Sequence, residues 1–568
     1  MKSAYEPLPI RSDMVARRGR PTSLPTGLWY GINATKTSNA QGWMYVRFTL
    51  DCELILTVIV KKLPLDWLEP SDDARAVIAI IRLPASDMRD YKGPVFTNPG
   101  GPGGSGVFAL RDRGKLLQTI VGRNHDIISF DPRGVGVSTP RIECWPSVQS
   151  KKIWALQHAG VADSHPGVLY DAFARSSAHS QACALSMGNA RSVEQASANN
   201  SNDTVAGAEP LKYVSTVSVA RDMLEIMEKT GQEKLKYWGF SYGTILGGVF
   251  AAMWPEKIER LVSDGNVDYS EWFTDAHATF LQDADKVMAT FYNLCHLSGP
   301  DKCAFYAASP SAIEARLDAL LERLKKYPII VPGPLHALDL PEIIYYSSLK
   351  RMISAALYRP VHMFPALAKV LAALEAGDGR PFLDLNEAEG FWEPFRYDCN
   401  SGDMPVQPPE TEEGNDEIFK AVLCTDGGRT NESIANLEEY LEALIRQSKA
   451  SGAVNLNFRI SCAGWTVRPK WMFKGPFTGN TSFPILYIAN EADNVTPLRS
   501  ARNNAKGFPN STLLIQESYG ADMMPFQNSL DASATASDIV SDTSGDIRSA
   551  VWELSRQKQH MWKPLYTY

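Results

Sequence analysis

What this chain of 568 residues lacks narrows its chemistry before any motif is read. Its eight cysteines contain no C-x-x-C, and no H-E-x-x-H occurs, which argues against zinc-ribbon, thioredoxin-type and zincin sites. No other cluster of metal-ligand type stands out, so neither a metal nor a cofactor is expected. Positive charge is not in excess: the net charge is −7, which speaks against nucleic acid or an anionic membrane as a partner. The longest tempting apolar run, Leu54–Val60, falls well short of the roughly 20 residues a membrane helix needs. The opening "MKSAYEPLPIRSDMVARRGR" has no apolar stretch of the kind a secretory leader carries. Seven N-x-[ST] sequons, at Asn33, Asn199, Asn202, Asn431, Asn480, Asn494 and Asn510, lean the other way and leave the compartment open. Histidine is scarce, and His560 is the only one after position 493.

The remaining composition is that of a globular chain long enough to bury a full core. The cysteines are Cys52, Cys144, Cys183, Cys295, Cys303, Cys399, Cys424 and Cys462. An even count suits four disulfides or eight buried thiols, and Cys295 and Cys303 are close enough in sequence to close a small loop. Residues 1–60 read as a poorly ordered segment, polar and broken by proline and glycine over the first fifty. From Ala76 onward, "AVIAIIRL", "PVFTN", "HDIISFD" and "LKYWGF" are short β-branched runs closed by turn residues, the mark of buried strands in a mostly parallel sheet. Before the last of these, Val219, Met223, Ile226 and Met227 form one face of a helix that Gly231 ends. Strands and helices alternating in this way predict α/β architecture. From about 270 to 470 the spacing becomes helical, and then "FPILYIANEAD" and "STLLIQES" return to strands. A helical insertion thus splits the sheet. The expected layout is a first core part at 61–268, a helical cap at 269–473, a second core part at 474–520 and an atypical tail at 521–568.

Two glycine motifs bear on the chemistry. "GFSYG" at Gly239–Gly243 is G-x-S-x-G placed after an apolar strand and before a small-residue helix, the context in which such a serine is exposed on a sharp turn above a sheet. Ser241 is therefore the candidate nucleophile. "TNPGGPGGSG" has five glycines among residues 100–106 and contains G-x-G-x-x-G from Gly101 to Gly106. One reading is a dinucleotide site, with Asp131 as the ribose acid and Gly103 essential to cofactor binding. The other is an oxyanion loop, where glycine lets the backbone approach a substrate oxygen and Tyr242 supplies the second amide. The oxyanion reading fits both motifs at once. Asp493, at the end of an apolar strand and downstream of Ser241, fits the Ser…Asp…His order of such enzymes.

The segments "TNPGGPGGSG", "DIISFDPRGVGVSTP", "YWGFSYGT" and "PILYIANEADNVTPL" resemble the prolyl and tripeptidyl aminopeptidase-like branch of the α/β-hydrolases, found in bacteria and fungi. "LPLDWLEPSDDARAVIAIIRLPA", "AVLCTDG" and "CAGWTVRP" fit as well, so the resemblance runs from about Leu63 to Ser518. It implies an α/β-hydrolase fold with a mostly parallel sheet and a large helical cap. It implies serine-dependent cleavage of a peptide, amide or ester bond in a peptide or small-molecule substrate, with fungal secondary-metabolite hydrolases among the relatives. It also implies Ser241 as nucleophile, Asp493 as triad acid, and Gly100, Gly101 and the Tyr242 amide as oxyanion hole. Members are often secreted.

Two departures stand out. Where the family closes its last strand with a turn bearing the catalytic histidine, this chain reads "ESYGADMM", and Ala521 takes that position. Upstream, the family places a cysteine a few residues before its "V-P-L-D-W"; here "ELILTVIVKK" separates Cys52 from "LPLDW". Three readings remain open: His560 is a relocated base, the chain lacks a base, or segments 53–62 and 519–568 are translated non-coding sequence. The alternative function is a catalytically impaired α/β-hydrolase used for binding.

Overall fold

The structure, a computed structural model, describes residues 33–38, 44–50, 54–157, 160–188, 210–274, 277–333, 341–389, 416–427 and 432–521. Twelve strands are defined among them. They are β1 (Asn33–Ser38), β2 (Met44–Leu50), β3 (Leu54–Pro64), β4 (Arg75–Leu83), β5 (Pro94–Asn98), β6 (Asp126–Phe130), β7 (Leu235–Phe240), β8 (Ile258–Asp264), β9 (Ile329–Val331), β10 (Glu342–Ile344), β11 (Leu486–Ala492) and β12 (Thr512–Tyr519). All except the small β9–β10 hairpin join one sheet in the order β1-β2-β3-β4-β6-β5-β7-β8-β11-β12. From β1 to β6 the pairings in this order are antiparallel, and from β6 to β12 they are parallel. The mostly parallel sheet expected from the apolar runs is present.

Strand alternation sends neighbouring residues to opposite faces. Ile78, Ile80, Phe96, Ile128, Phe130 and Tyr237 enter one apolar core, while Ala79, Ile81, Val95, Ile127 and Trp238 enter another. Every residue of β5 and β6 is buried, which is why these strands do not show the apolar–polar alternation of a half-exposed strand.

The stretch between β8 and β11 carries the helical insertion, and much of it has a core of its own, built from Phe291, Leu317, Leu349, Leu367 and Leu441 among others. The helix Asp416–Gly427 behaves differently. Its Ile418, Ala421, Val422 and Leu423 join the core that holds Tyr242 and Ile245, so this piece of the insertion packs on the hydrolase body. Among the described residues three disulfides are formed, Cys144–Cys183, Cys295–Cys303 and Cys424–Cys462; Cys52 and Cys399 lie outside the described residues.

The expectation of poor order over 1–60 does not hold for its described residues. β1, β2 and most of β3 fall there and extend the sheet as an antiparallel meander. The "LILTVIV" run pairs with β2 along its length and, from Thr57 on, with Arg82 and the residues before it in β4. A β-branched run next to a sheet edge gains a ladder of hydrogen bonds that local polarity around it does not reveal.

The turn after β6 is anchored by a buried ion pair. Arg133 Nε donates to Asp222 Oδ2 at 2.6 Å and Nη2 to Oδ1 at 2.8 Å. Its remaining donors reach the carbonyls of Pro64 and Leu65, and Trp67 Nε1 donates to Asp222 Oδ1. Arg133 thereby ties the end of β3 to the helix Thr216–Lys229. Asp222→Ala would leave a guanidinium buried without a counter-charge, and should lower the unfolding free energy by about 3–5 kcal/mol in urea denaturation. A loss below about 1 kcal/mol would show that water reaches Arg133.

Candidate active site

β7 delivers Ser241 to a turn that runs directly into the helix Tyr242–Met253. Ser241 has φ 52° and ψ −122°, a region that a residue with a Cβ seldom occupies. The turn is held from several sides. Ser241 N–H donates to the carbonyl of Asp264 at 3.1 Å, and its own carbonyl accepts from Thr244 N–H at 2.8 Å and Thr244 Oγ1 at 2.6 Å. Thr244 Oγ1 in turn accepts from Val267 N–H. A Cβ at Gly243 would lie 2.7 Å from the Asn98 carbonyl, so the glycine of the motif lets the new helix sit against the end of β5. Ser241 is half-buried, and among the described residues nothing hydrogen-bonds its Oγ.

The glycine loop lies against this elbow. A Cβ at Gly100 would stand 2.5 Å from the Phe240 carbonyl, 2.9 Å from Ser241 Cβ and 3.2 Å from Tyr242 N. Only a glycine, here at φ +98°, allows such contact. The Gly100 N–H donates to Asn98 Oδ1 at 3.0 Å, which commits that amide to the loop itself. Gly101, also at positive φ, follows. The Tyr242 N–H is the first of its helix and has no intrahelical acceptor.

Asp131 answers the dinucleotide reading. Its Oδ1 accepts from Ser105 Oγ at 2.6 Å and Val107 N–H at 3.0 Å, and its Oδ2 from Val137 N–H at 2.9 Å. It is fully buried, and that burial pushes its carboxyl up to about 6 despite these bonds. The N-terminus of the helix Gly106–Val121, where a pyrophosphate would bind, is already occupied by a protein carboxylate. The acid is spent on shaping the loop and does not face a ribose.

Asp493 follows β11 and is buried. Its Oδ1 accepts from Val495 N–H at 2.9 Å and Thr496 N–H at 2.8 Å, and its Oδ2 from Thr496 Oγ1 at 2.7 Å. Burial raises its carboxyl to about 6 against the pull of these bonds. After β12, Gly520 N–H donates to the Ala492 carbonyl at 2.9 Å, and Asn490 Nδ2 donates to the Gly520 carbonyl at 2.7 Å. These bonds pin the turn bearing Ala521 beside the strand end that carries Asp493. Ala521 is itself buried. His560 lies outside the described residues. Among the described histidines none is hydrogen-bonded to Ser241 or Asp493; His125, His179, His296 and His362 bond Gly93, Lys420, Ala307 and Glu389 respectively.

A second strand-end acid escaped the sequence reading. Asp264 closes β8, lies opposite Ile488 of β11 in register, and accepts from Trp238 Nε1 at 3.3 Å. Burial, and then the charge of Asp493, push it up to about 8. "RLVSDG" carries the same signal as "ANEAD", a carboxylate closing an apolar run, and could have been read in the same way.

A sheet of this order, with a strand-to-helix serine turn and helices on its faces, has the α/β-hydrolase fold. The family models agree. A family model described as "alpha/beta hydrolase fold" matches residues 93–324, and one described as "TAP-like protein" matches residues 448–536. The chain is 27% identical over 425 residues to the serine protease Hip1 of Mycobacterium tuberculosis, covering 72% of this chain and 70% of that protein. It is 25% identical over 464 residues to the tripeptidyl aminopeptidase of Streptomyces lividans, covering 81% of this chain and 76% of that one. A solved proline iminopeptidase of Mycobacterium smegmatis aligns at a TM-score of 0.32 and 11% identity, over 87% of this chain and 99% of that one. The chain is thus an enzyme of α/β-hydrolase fold, related to a serine protease and a tripeptidyl aminopeptidase.

The buried acids predict a pH effect. Asp264 has a folded-state pKa near 8 against 3.8 for an ordinary carboxyl, so the native state keeps a proton that the unfolded chain releases. Its contribution to stability is present at low pH and is lost as pH rises towards 8. Asp264→Asn should therefore flatten the decline in unfolding free energy between about pH 6 and pH 8, by up to about 1.4 kcal/mol per pH unit. Urea denaturation of both proteins at the two pH values measures this, and an unchanged slope would contradict it.

Proposed function

We propose that the chain is a serine hydrolase in which Ser241 attacks a carbonyl carbon, the amides of Gly101 and Tyr242 receive the developing oxyanion, and Asp493 is the acid that orients a base. The observation that carries this is the strained Ser241 turn with Gly100 pressed against it, because the glycine loop then lies close to Tyr242 N and to a half-buried serine whose Oγ has no hydrogen bond among the described residues. Gly100 serves the hole by its lack of a side chain, since its own amide is engaged by Asn98. A peptide or related amide bond is the favoured substrate. The two relatives that align over about seven-tenths or more of their length are named as a protease and an aminopeptidase.

The base is the open position. Ala521 is on the turn beside the Asp493 strand end, no histidine among the described residues bonds Ser241, and a serine hydroxyl without a base stays protonated at neutral pH. Oxyanion hole and binding alone leave about 10³–10⁴-fold over water. This observation favours a second reading, in which the chain is a weak hydrolase whose closed cap binds rather than turns over. Labelling of Ser241 by a fluorophosphonate separates the cases. Wild type should label slowly, Ala521→His faster, and His560→Ala no differently from wild type. Fast wild-type labelling that disappears in His560→Ala would overturn the missing-base reading and make His560 the base. In whichever of these proteins turns over with a working base, Ser241→Ala should lower kcat by on the order of 10⁶ and Asp493→Asn by about 10⁴. Hydrolysis that survives Ser241→Ala would remove Ser241 from the mechanism.

A further inference from the structure

Beneath the elbow lies a buried polar chain that the roles above do not use. Asp426 sits near the end of the helix Asp416–Gly427 and is 2% exposed. Its Oδ1 accepts from Thr216 N–H at 2.9 Å, and its Oδ2 accepts from Thr216 Oγ1 at 2.5 Å and from Trp272 Nε1 at 2.9 Å. Thr216 Oγ1 also lies 2.5 Å from the Tyr242 hydroxyl. The carboxylate can only accept, so the threonine proton points to Asp426 and the Tyr242 O–H donates to Thr216. Proton directions therefore run one way, from Tyr242 through Thr216 to Asp426.

Each link has a separate physical reason. Thr216 begins the helix Thr216–Lys229, whose flanking Ser215 makes no side-chain cap, and Asp426 supplies the missing anion at that helix N-terminus. Trp272 packs its ring 5.4 Å from that of Tyr242 and is held in place by its bond to Asp426. The carboxylate thus grips Tyr242 through its hydroxyl and through its aromatic neighbour. The helix bearing Asp426 is fixed in turn by the Cys424–Cys462 disulfide two residues away.

We propose that Asp426 is a positioning residue for the oxyanion hole: from within the cap insertion it holds the Tyr242 side chain, and so sets where the Tyr242 amide points. This rests on the reading of Tyr242 as an oxyanion donor. The strain at Ser241 must be supported by its surroundings. Gly100 closes the turn from above, and the Asp426 chain holds its first helical residue from below. A carboxylate buried with three hydrogen bonds could also serve stability alone, and the two roles differ in what they do to the reaction.

The test is saturation labelling of Ser241 by a fluorophosphonate, read as a maximal rate and a half-saturation concentration, in wild type and in Ala521→His. Asp426→Asn and Tyr242→Phe should each lower the maximal rate by roughly 10- to 100-fold, the scale of a small misplacement of a reacting group. The half-saturation concentration should stay within about twofold, and the double variant should lose little more than either single one, because both cut the same chain. Maximal rates within twofold of the parent, even with a lowered melting temperature, would overturn the proposal and leave Asp426 a stabilising residue. If Ser241 is labelled in neither background, the hydrolase reading fails by itself. The positioning claim is then decided by hydrogen exchange at residues 239–245. Faster exchange at Tyr242 and Gly243 in both Asp426→Asn and Asp426→Ala supports it; unchanged exchange there overturns it.

Discussion

The site depends on one constraint: a serine held at φ 52° between a strand and a helix. An isolated peptide would relax from that conformation, which costs on the order of 1–3 kcal/mol. Here it persists because three parts of the sheet converge on it. The Asp264 carbonyl at the end of β8 takes the Ser241 N–H, the end of β5 fits against Gly243, and Gly100 closes over the turn. Each contact needs either a backbone group at the end of a parallel strand or a glycine. The parallel sheet supplies the first because its strand ends lie in a row, and the sequence supplies the second at fixed spacing. Function in such a fold gathers above those ends for this reason.

The same arrangement explains the unusual electrostatics. Asp264 and Asp493 stand on neighbouring strand ends, both buried and both raised, and the charge of Asp493 adds to the rise at Asp264. A third carboxyl, the half-buried Asp283, is raised as well, and its charge adds to the rise at Asp493. Lys286 and Arg502 ease the charge at Asp283, while the two fully buried acids remain costly to ionise. An imidazolium on the turn after β12 would relieve that cost, which gives a physical sense to the turn's close attachment to Ala492 and to the effect of placing alanine at 521.

Much of the fold was legible because its signals are local. Runs such as "DIISF" and "PILYIA" do not alternate between apolar and polar residues as a half-exposed strand would, because both faces of those strands are covered, and glycines at 239 and 243 mark a turn whatever else surrounds it. What stayed hidden depends on distant partners. β1 to β3 looked like an ill-ordered lead-in because their stability comes from pairing with one another and with β4. Asp131 looked available for a ribose, and only the folded loop shows its oxygens filled by Ser105, Val107 and Val137. Asp426 was part of a family-like segment, yet its grip on Thr216 spans 210 residues of sequence. The helix that carries it sits in the insertion by sequence and in the hydrolase core by packing, a division no periodicity could draw.

The central claim is that Ser241 and the two amides beside it form one reacting unit. A crystal structure of the chain, or of its Ala521→His variant, after reaction with a phosphonate tests it most directly. The account predicts phosphorus bonded to Ser241 Oγ and a phosphonyl oxygen about 2.7–3.1 Å from the N–H groups of Gly101 and Tyr242. An adduct on another residue, or a phosphonyl oxygen turned away from both amides, would contradict it.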